Sequence, residues 1–200
     1  MSILLTMDTI GPDDRGRVGG KAWALAQLCR RGVPVPRGVV VPADAYQTFM
    51  RVNQLDERAS AGGDPNLASD ILQGEFDLTL AQSLQVAAVE LGNQLAVRSS
   101  GVEEDGGTES FAGQYDTVLG VGPGAEVIAA VLACWASAWS SRAMAYRAQR
   151  ASAVLPQMAV LIQPLVRPRC AGVMFTINPL TGSWREMTVE AEIVQENDEA

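Results

Sequence analysis

The segment that most limits how this chain can fold runs from Leu95 to Gly120. A short apolar run, Leu95-Ala96-Val97, ends in Arg98, a polar glycine-rich stretch follows, and a second β-prone run begins near Tyr115-Asp116-Thr117-Val118-Leu119. Apolar runs bounded by glycine and small polar residues read as strand, loop and strand. An ordinary hairpin connection does not need so many glycines. Gly106, Gly107 and Gly113 permit positive φ and close backbone approach, so the loop can turn its N–H groups toward one centre. Ser99, Ser100, Thr108 and Ser110 add hydroxyl donors and Arg98 adds a fixed charge, which together describe a cradle for phosphate.

The rest of the chain supplies layers for that segment. Gly11 to Lys21 is a polar, glycine-rich approach to a helix in which Ala22, Leu25, Ala26 and Cys29 recur at helical spacing, with Gly32 placed to cap its C-terminus. Lys21 then sits near a helix N-terminus, where exposed N–H groups and the helix dipole favour an anion. On its own a Gly-Gly-Lys is most simply a surface lysine. Val39-Val40-Val41 reads as a buried strand, Ala43 to Val52 as a helix begun by Pro42, Ala59 to Asn66 as a loop, and Leu67 to Gly92 as helix. Ile128, Val131, Leu132, Trp135 and Trp139 form the apolar face of a further helix, and Arg142, Tyr146, Arg147 and Arg150 its solvated cationic end. Strands are expected at Met158–Gln163, Ala171–Thr176 and Glu186–Ala191. Helices first and strands after predict an α+β fold, helices packed on a mixed, largely antiparallel sheet. Residues 192–200 are acidic and read as a ragged or truncated end.

Charge and composition narrow the chemistry. A net charge of −8 and a pI near 4.6 disfavour a nucleic-acid partner, which calls for surplus Lys and Arg. The apolar N-terminus is too short for a signal peptide and no stretch reads as a membrane span, which suggests a cytoplasmic protein. The cysteines, Cys29, Cys134 and Cys170, lack a CxxC pair and read as reduced, buried thiols. There is no histidine, so no Cys/His metal site, no Ser-His-Asp triad and no phosphohistidine can be built from this chain.

Six motifs in this order carry more than each does alone: Val18-Gly19-Gly20-Lys21, Val35-Pro36-Arg37-Gly38-Val39, Ala96-Val97-Arg98-Ser99-Ser100, Ser110-Phe111-Ala112-Gly113-Gln114, Ser141-Arg142-Ala143, and Ala171 to Gly182. They resemble the nucleotide-binding domain of the phosphoenolpyruvate synthase and pyruvate phosphate dikinase family, a domain shared with rifampicin phosphotransferases. The resemblance covers about residues 10 to 190. It implies the first lobe of an ATP-grasp fold, with ATP held against a second lobe and its β-phosphate passed to a histidine on another domain, then to pyruvate or another small acceptor. By the same resemblance Lys21 and Arg98 are the catalytic phosphate-holding cations. Ser99, Gly106, Gly107, Thr108, Ser110 and Gly113 line the nucleotide, Gln163 borders the adenine, and Leu165 offers a backbone contact.

The sequence departs from that family after Glu190-Ala191, where Glu192-Ile193-Val194-Gln195 stands in place of a Gly-Leu-Gly-Glu motif. The second lobe, the residues that hold Mg2+ and the phosphohistidine domain are not among these residues. The expectation is a chain incomplete for catalysis alone, which meets those parts in cis or in trans. Alternatives are a fragment of a rifampicin phosphotransferase, or a nucleotide-binding module without turnover.

Overall fold

The computed structural model describes residues 3–61, 64–102, 115–149 and 155–194. The chain divides into a unit of residues 1–165 and a smaller one of residues 166–200. In chain order the first contains β1 (Leu5–Thr6), α1 (Arg15–Arg30), β2 (Val39–Val41), α2 (Ala43–Val52), α3 (Asp56–Ala61), α4 (Leu67–Gln73) and α5 (Leu78–Leu91). It continues with β3 (Leu95–Gly101), β4 (Thr117–Val121), α6 (Ala125–Ser137), α7 (Ser141–Gln149) and β5 (Met158–Pro164).

These strands form one sheet in the order β1-β2-β5-β3-β4, with every described pairing antiparallel. The α+β expectation is met. The inner strands β2 and β5 are apolar almost without interruption because both faces are covered. On one face α1 buries Val18, Ala22 and Ala26 against Val40, Ala159 and Leu161. On the other, Val41, Val97, Val160 and Ile162 pack with Phe49, Ile71, Leu84 and Trp135 from α2, α4, α5 and α6. Strand side chains alternate, so the register Arg98↔Leu161 and Ser100↔Ala159 assigns Arg98 and Ser100 to the α1 face and Ser99 to the opposite one.

The second unit contains the antiparallel hairpin of β6 (Cys170–Phe175) and β7 (Thr188–Ile193). The connecting turn is built on Asn178, whose Oδ1 accepts from the N–H groups of Leu180 and Thr181 at 2.9 and 3.1 Å.

Several expectations need correction. The loop expected at 59–66 begins later, because Ala59 to Ala61 belong to α3, whose Ala59 packs into the core. Residues 67–92 are two helices, interrupted at Gly74, and α5 starts afresh where Asp77 Oδ1 accepts from Leu80 N–H at 2.8 Å. Only Cys134 is buried; Cys29 and Cys170 are exposed, and all three are free. Arg147 is not simply solvated, since it donates to the Ala138 carbonyl at 2.6 Å and lies 5.1 Å from the Trp139 ring. Against the expectation that no stretch reads as a membrane span, the helical stretch 125–148 is long and apolar enough to cross one by length and composition. Most of its apolar window is buried, with Val131 and Trp135 in the core. Gly32 does cap α1: with φ 79° it donates to Cys29 O at 3.0 Å while Val33 N–H reaches Leu28 O at 3.1 Å.

Candidate functional site

The site is organised by a break in α1. Gly19 has φ 75° and ψ 167°, a conformation open essentially to glycine, and it interrupts the helical run. The helix restarts immediately after it, so Lys21 lies in a first turn although α1 as a whole begins at Arg15. Gly19 is buried against β3, where a Cβ would stand 2.5 Å from both the carbonyl carbon and the Oγ of Ser100. That approach lets Ser100 Oγ accept from Ala22 N–H at 3.1 Å, answering one of the unpaired donors of a helix start. Lys21 Nζ donates to the Ser99 carbonyl at 2.6 Å. Two motifs 78 positions apart are thereby joined at one point of the sheet.

Arg98 projects from the same face as Ser100 and is half-buried. Its Nε is buried and has no hydrogen-bond partner among the described residues. A guanidinium N–H removed from water without an acceptor is costly, and an anion at that point would relieve it. Gln163 shares the face: it pairs with Ala96, which makes it a diagonal neighbour of Arg98. Its side chain is buried, Nε2 donating to Pro36 O at 2.8 Å, and Gly38 leaves room for it, since a Cβ there would be 2.7 Å from Gln163 Cγ. Leu165 N–H is already taken by Gln94 O at 2.9 Å.

Ser99 has a different role from the one its motif suggests. Its hydroxyl faces away from α1 and donates to Asp116 O at 2.9 Å, and its N–H reaches the same oxygen at 3.3 Å. Asp116 is a junction that sequence reasoning missed. Its N–H donates to Ser137 Oγ at 3.3 Å, and its carboxylate accepts from Arg142 at 3.4 Å. Cys134 lies under the same oxygen, its Sγ 3.8 Å away and 3.7 Å from Val97 O. Burial pushes the Cys134 thiol up to about 12, reinforced by the Asp116 carboxylate and opposed by the Lys21 ammonium. The Ser-Ser pair offered a signal: on a strand two successive hydroxyls must serve opposite faces.

Lys21, Arg98 and Gln163 thus come to one face of the sheet, with Ser100 beneath Lys21. Gly106, Gly107, Thr108, Ser110 and Gly113 lie outside the described residues. Among the described residues no group of three or more His, Cys, Asp or Glu could hold a metal ion. The two cations, the unpaired Arg98 Nε and the helix start suit a phosphate-bearing ligand, whereas a Mg2+ ligand set is not supplied by the described residues.

Comparison with known proteins agrees. Residues 15–197 match the family described as pyruvate phosphate dikinase, AMP/ATP-binding domain. The prodigiosin synthesizing transferase PigC of Serratia marcescens is 41% identical over 177 residues, covering 88% of this chain and 20% of that protein. A phosphoenolpyruvate synthase of Aeropyrum pernix is 34% identical over 212 residues, covering 94% and 26%. A rifampicin phosphotransferase of Streptomyces sviceus is 34% identical over 206 residues, covering 94% and 24%. The chain therefore spans about a fifth to a quarter of the length of these relatives. It belongs to the pyruvate phosphate dikinase AMP/ATP-binding domain family.

Proposed function

We propose that this chain is the phosphate-gripping lobe of an ATP-grasp phosphotransferase. In that reading ATP supplies the phosphoryl group, which passes from its β-position to a histidine on another domain while water takes up the γ-phosphoryl group, so that AMP and phosphate are released, and the histidine then hands its phosphoryl group to a small-molecule acceptor. The observation that carries the reading is the convergence of Lys21 and Arg98 on one sheet face, with Arg98 Nε buried and unmatched among the described residues. Phosphoryl transfer depends mainly on positioning and charge neutralisation, which two cations and a helix start supply without a nucleophile of their own. Lys21 and Arg98 hold phosphates, Gln163 borders the base, Ser100 fixes the helix that carries Lys21, and Ser99 offers its carbonyl to Lys21 and its hydroxyl to the Asp116 junction. Leu165, with its N–H engaged, would contribute its carbonyl. Gly106, Gly107, Thr108, Ser110 and Gly113 would close over the phosphates.

Mg2+, the second lobe and the phosphohistidine domain would come from outside this lobe. The acceptor would too: proteins named for prodigiosin synthesis, phosphoenolpyruvate synthesis and rifampicin phosphorylation share this domain at 34 to 41% identity, as expected of a part indifferent to the acceptor. Titration of the 200-residue chain with ATP and Mg2+ tests the grip. Lys21→Ala and Arg98→Ala should each weaken binding by about 10- to 100-fold, the range of one charge-assisted contact. Equal affinity in all three proteins would refute the assignment.

A further inference from the structure

The Val35-Pro36-Arg37-Gly38 segment is anchored at every residue, yet the phosphate grip uses none of them. Val35 packs on the apolar cluster that includes Val18 and Ala22 of α1, and Arg37 donates to Glu90 O near the end of α5 at 2.5 Å. Gly38 O accepts from Met7 N–H at 3.2 Å, and Pro36 O accepts from Gln163 Nε2 at 2.8 Å. Proline fixes φ, so the carbonyl that meets Gln163 belongs to a stiff stretch held on both sides. The register of β2 on β5, carried one residue further, sets Gly38 opposite Gln163. A Cβ on Gly38 would stand 2.7 Å from Gln163 Cγ and 2.8 Å from Ile162 O, and the second obstacle is backbone of an inner strand, which does not swing aside.

Gln163 follows the buried apolar run Met158 to Ile162 on β5 and is itself only 5% exposed. A buried amide normally has both ends matched. Here the nitrogen end is: a carbonyl oxygen can only accept, so the Pro36 contact obliges Nε2 to face it. The other end, Oε1, has no donor among the described residues and, unlike Arg98 Nε, is not sealed from a ligand. The open end of Gln163 is thus its acceptor.

We propose that Pro36, through its carbonyl, and Gly38 are positioning residues that fix the amide of Gln163 with its acceptor outward, so that the site selects a 6-amino purine over a 6-oxo purine. The inference rests on the proposed grip, in which Gln163 borders the base. An exocyclic amino group donates to Oε1. A 6-oxo group would set two acceptors against each other, and the amide cannot turn to offer its nitrogen without giving up Pro36 O. A site built to hydrogen-bond one substituent discriminates more sharply than an apolar pocket, because the wrong substituent leaves its buried polar group unpaired.

The test is titration of the 200-residue chain with ATP and with ITP, whose base carries an oxygen in place of the amino group, each with Mg2+, reading the ratio of the two dissociation constants. The wild type should bind ITP about 10- to 100-fold more weakly than ATP. Gln163→Leu removes the acceptor and should bring the ratio close to one. Gly38→Ala displaces the amide and should lower the ratio, and Pro36→Gly, which keeps the carbonyl but slackens the stretch, should do so even if Gly38→Ala does not fold. Lys21→Ala and Arg98→Ala act on the phosphates and should weaken both nucleotides while leaving the ratio as it is, a pattern that a merely structural role for the 35–38 segment would not separate. A wild-type ratio of one, with ATP still weakened by Lys21→Ala, would overturn this inference and leave the grip standing. A ratio preserved in Gln163→Leu, or in both Gly38→Ala and Pro36→Gly, would overturn it as well. Unchanged ATP affinity in Lys21→Ala and Arg98→Ala, or no saturable nucleotide binding, would overturn the grip and this inference with it.

Discussion

Replacing Gly19 by alanine tests the central claim about how the site is built. Gly19 adopts φ 75°, ψ 167°, where a side chain costs about 1–3 kcal/mol in backbone strain. The new methyl would also stand 2.5 Å from the Ser100 carbonyl carbon and Oγ, nearer still to its carbonyl oxygen. The obstacle is backbone of a central strand, so it cannot swing away, and forced overpacking adds about 1–3 kcal/mol. The sum, about 4 kcal/mol, corresponds to a melting temperature lower by roughly 8–16 °C for a domain of this size. Gly16 is the internal control: it lies in the same helix, has no positive φ, and leaves open space within 4 Å of where a Cβ would stand. Gly16→Ala should stabilise by about 0.5–1 kcal/mol, the ordinary helical gain over glycine. Thermal and urea unfolding followed by far-UV circular dichroism would read both. If Gly19→Ala melts with the wild type, or Gly16→Ala falls as far as Gly19→Ala, the break in α1 is not what seats Lys21 on β3.

Two other perturbations probe the opposite face of the sheet. Trp139 Nε1 donates to Tyr46 Oη at 2.7 Å in the core, so Tyr46→Phe strands a buried indole N–H and should cost about 1–3 kcal/mol, seen as a lower urea midpoint at unchanged slope. A midpoint equal to that of the wild type would mean the pair contributes nothing. The Cys134 thiol, held protonated up to about 12 from an ordinary value of 9.0, binds its proton more tightly folded than unfolded. Its stabilising contribution is therefore complete below pH 9 and lost as pH rises from 9 toward 12, at up to about 1.4 kcal/mol per unit. Cys134→Ser should flatten that part of the stability profile relative to wild type. Iodoacetamide at about pH 8, near the ordinary thiol range, should modify exposed Cys29 and Cys170 and spare Cys134; rapid labelling of all three would contradict the burial.

What could be read from the sequence divides along physical lines. The strands Val39–Val41 and Met158–Pro164 were legible because burial on both faces leaves an apolar run that no helix period explains, whereas β3 was legible only as far as Arg98, because Ser99, Ser100 and Gly101 continue the strand with residues that read as loop. The helix ends at Gly32 and Pro42 were legible because their chemistry is local. The interruption near Gly74 was not, because the apolar period continues across it and only the Asp77 cap marks a new start. Strand β1 is two residues long and leaves no period at all. Within the site, the types of Lys21 and Arg98 pointed to the proposed phosphate grip, but the Asp116 junction works mainly through backbone atoms, and a backbone contact leaves little trace in residue identity.

That junction gives the Val-Arg-Ser-Ser motif a structural reason for its length. Arg98 alone could supply a charge; the two serines after it tie that charge to its surroundings on both sides of the sheet. Ser100 holds the restarted helix that carries Lys21, and Ser99 holds Asp116, where the chain re-enters the sheet toward β4. The other described flank, Val102, is fixed by its N–H to Gln157 O at 3.0 Å. One strand therefore sets the position of both cations relative to both flanks of the glycine-rich segment. A substitution at Ser99, whose hydroxyl faces away from the Lys21 and Arg98 side chains, should then disturb the proposed grip through the Asp116 junction rather than through direct contact with a ligand.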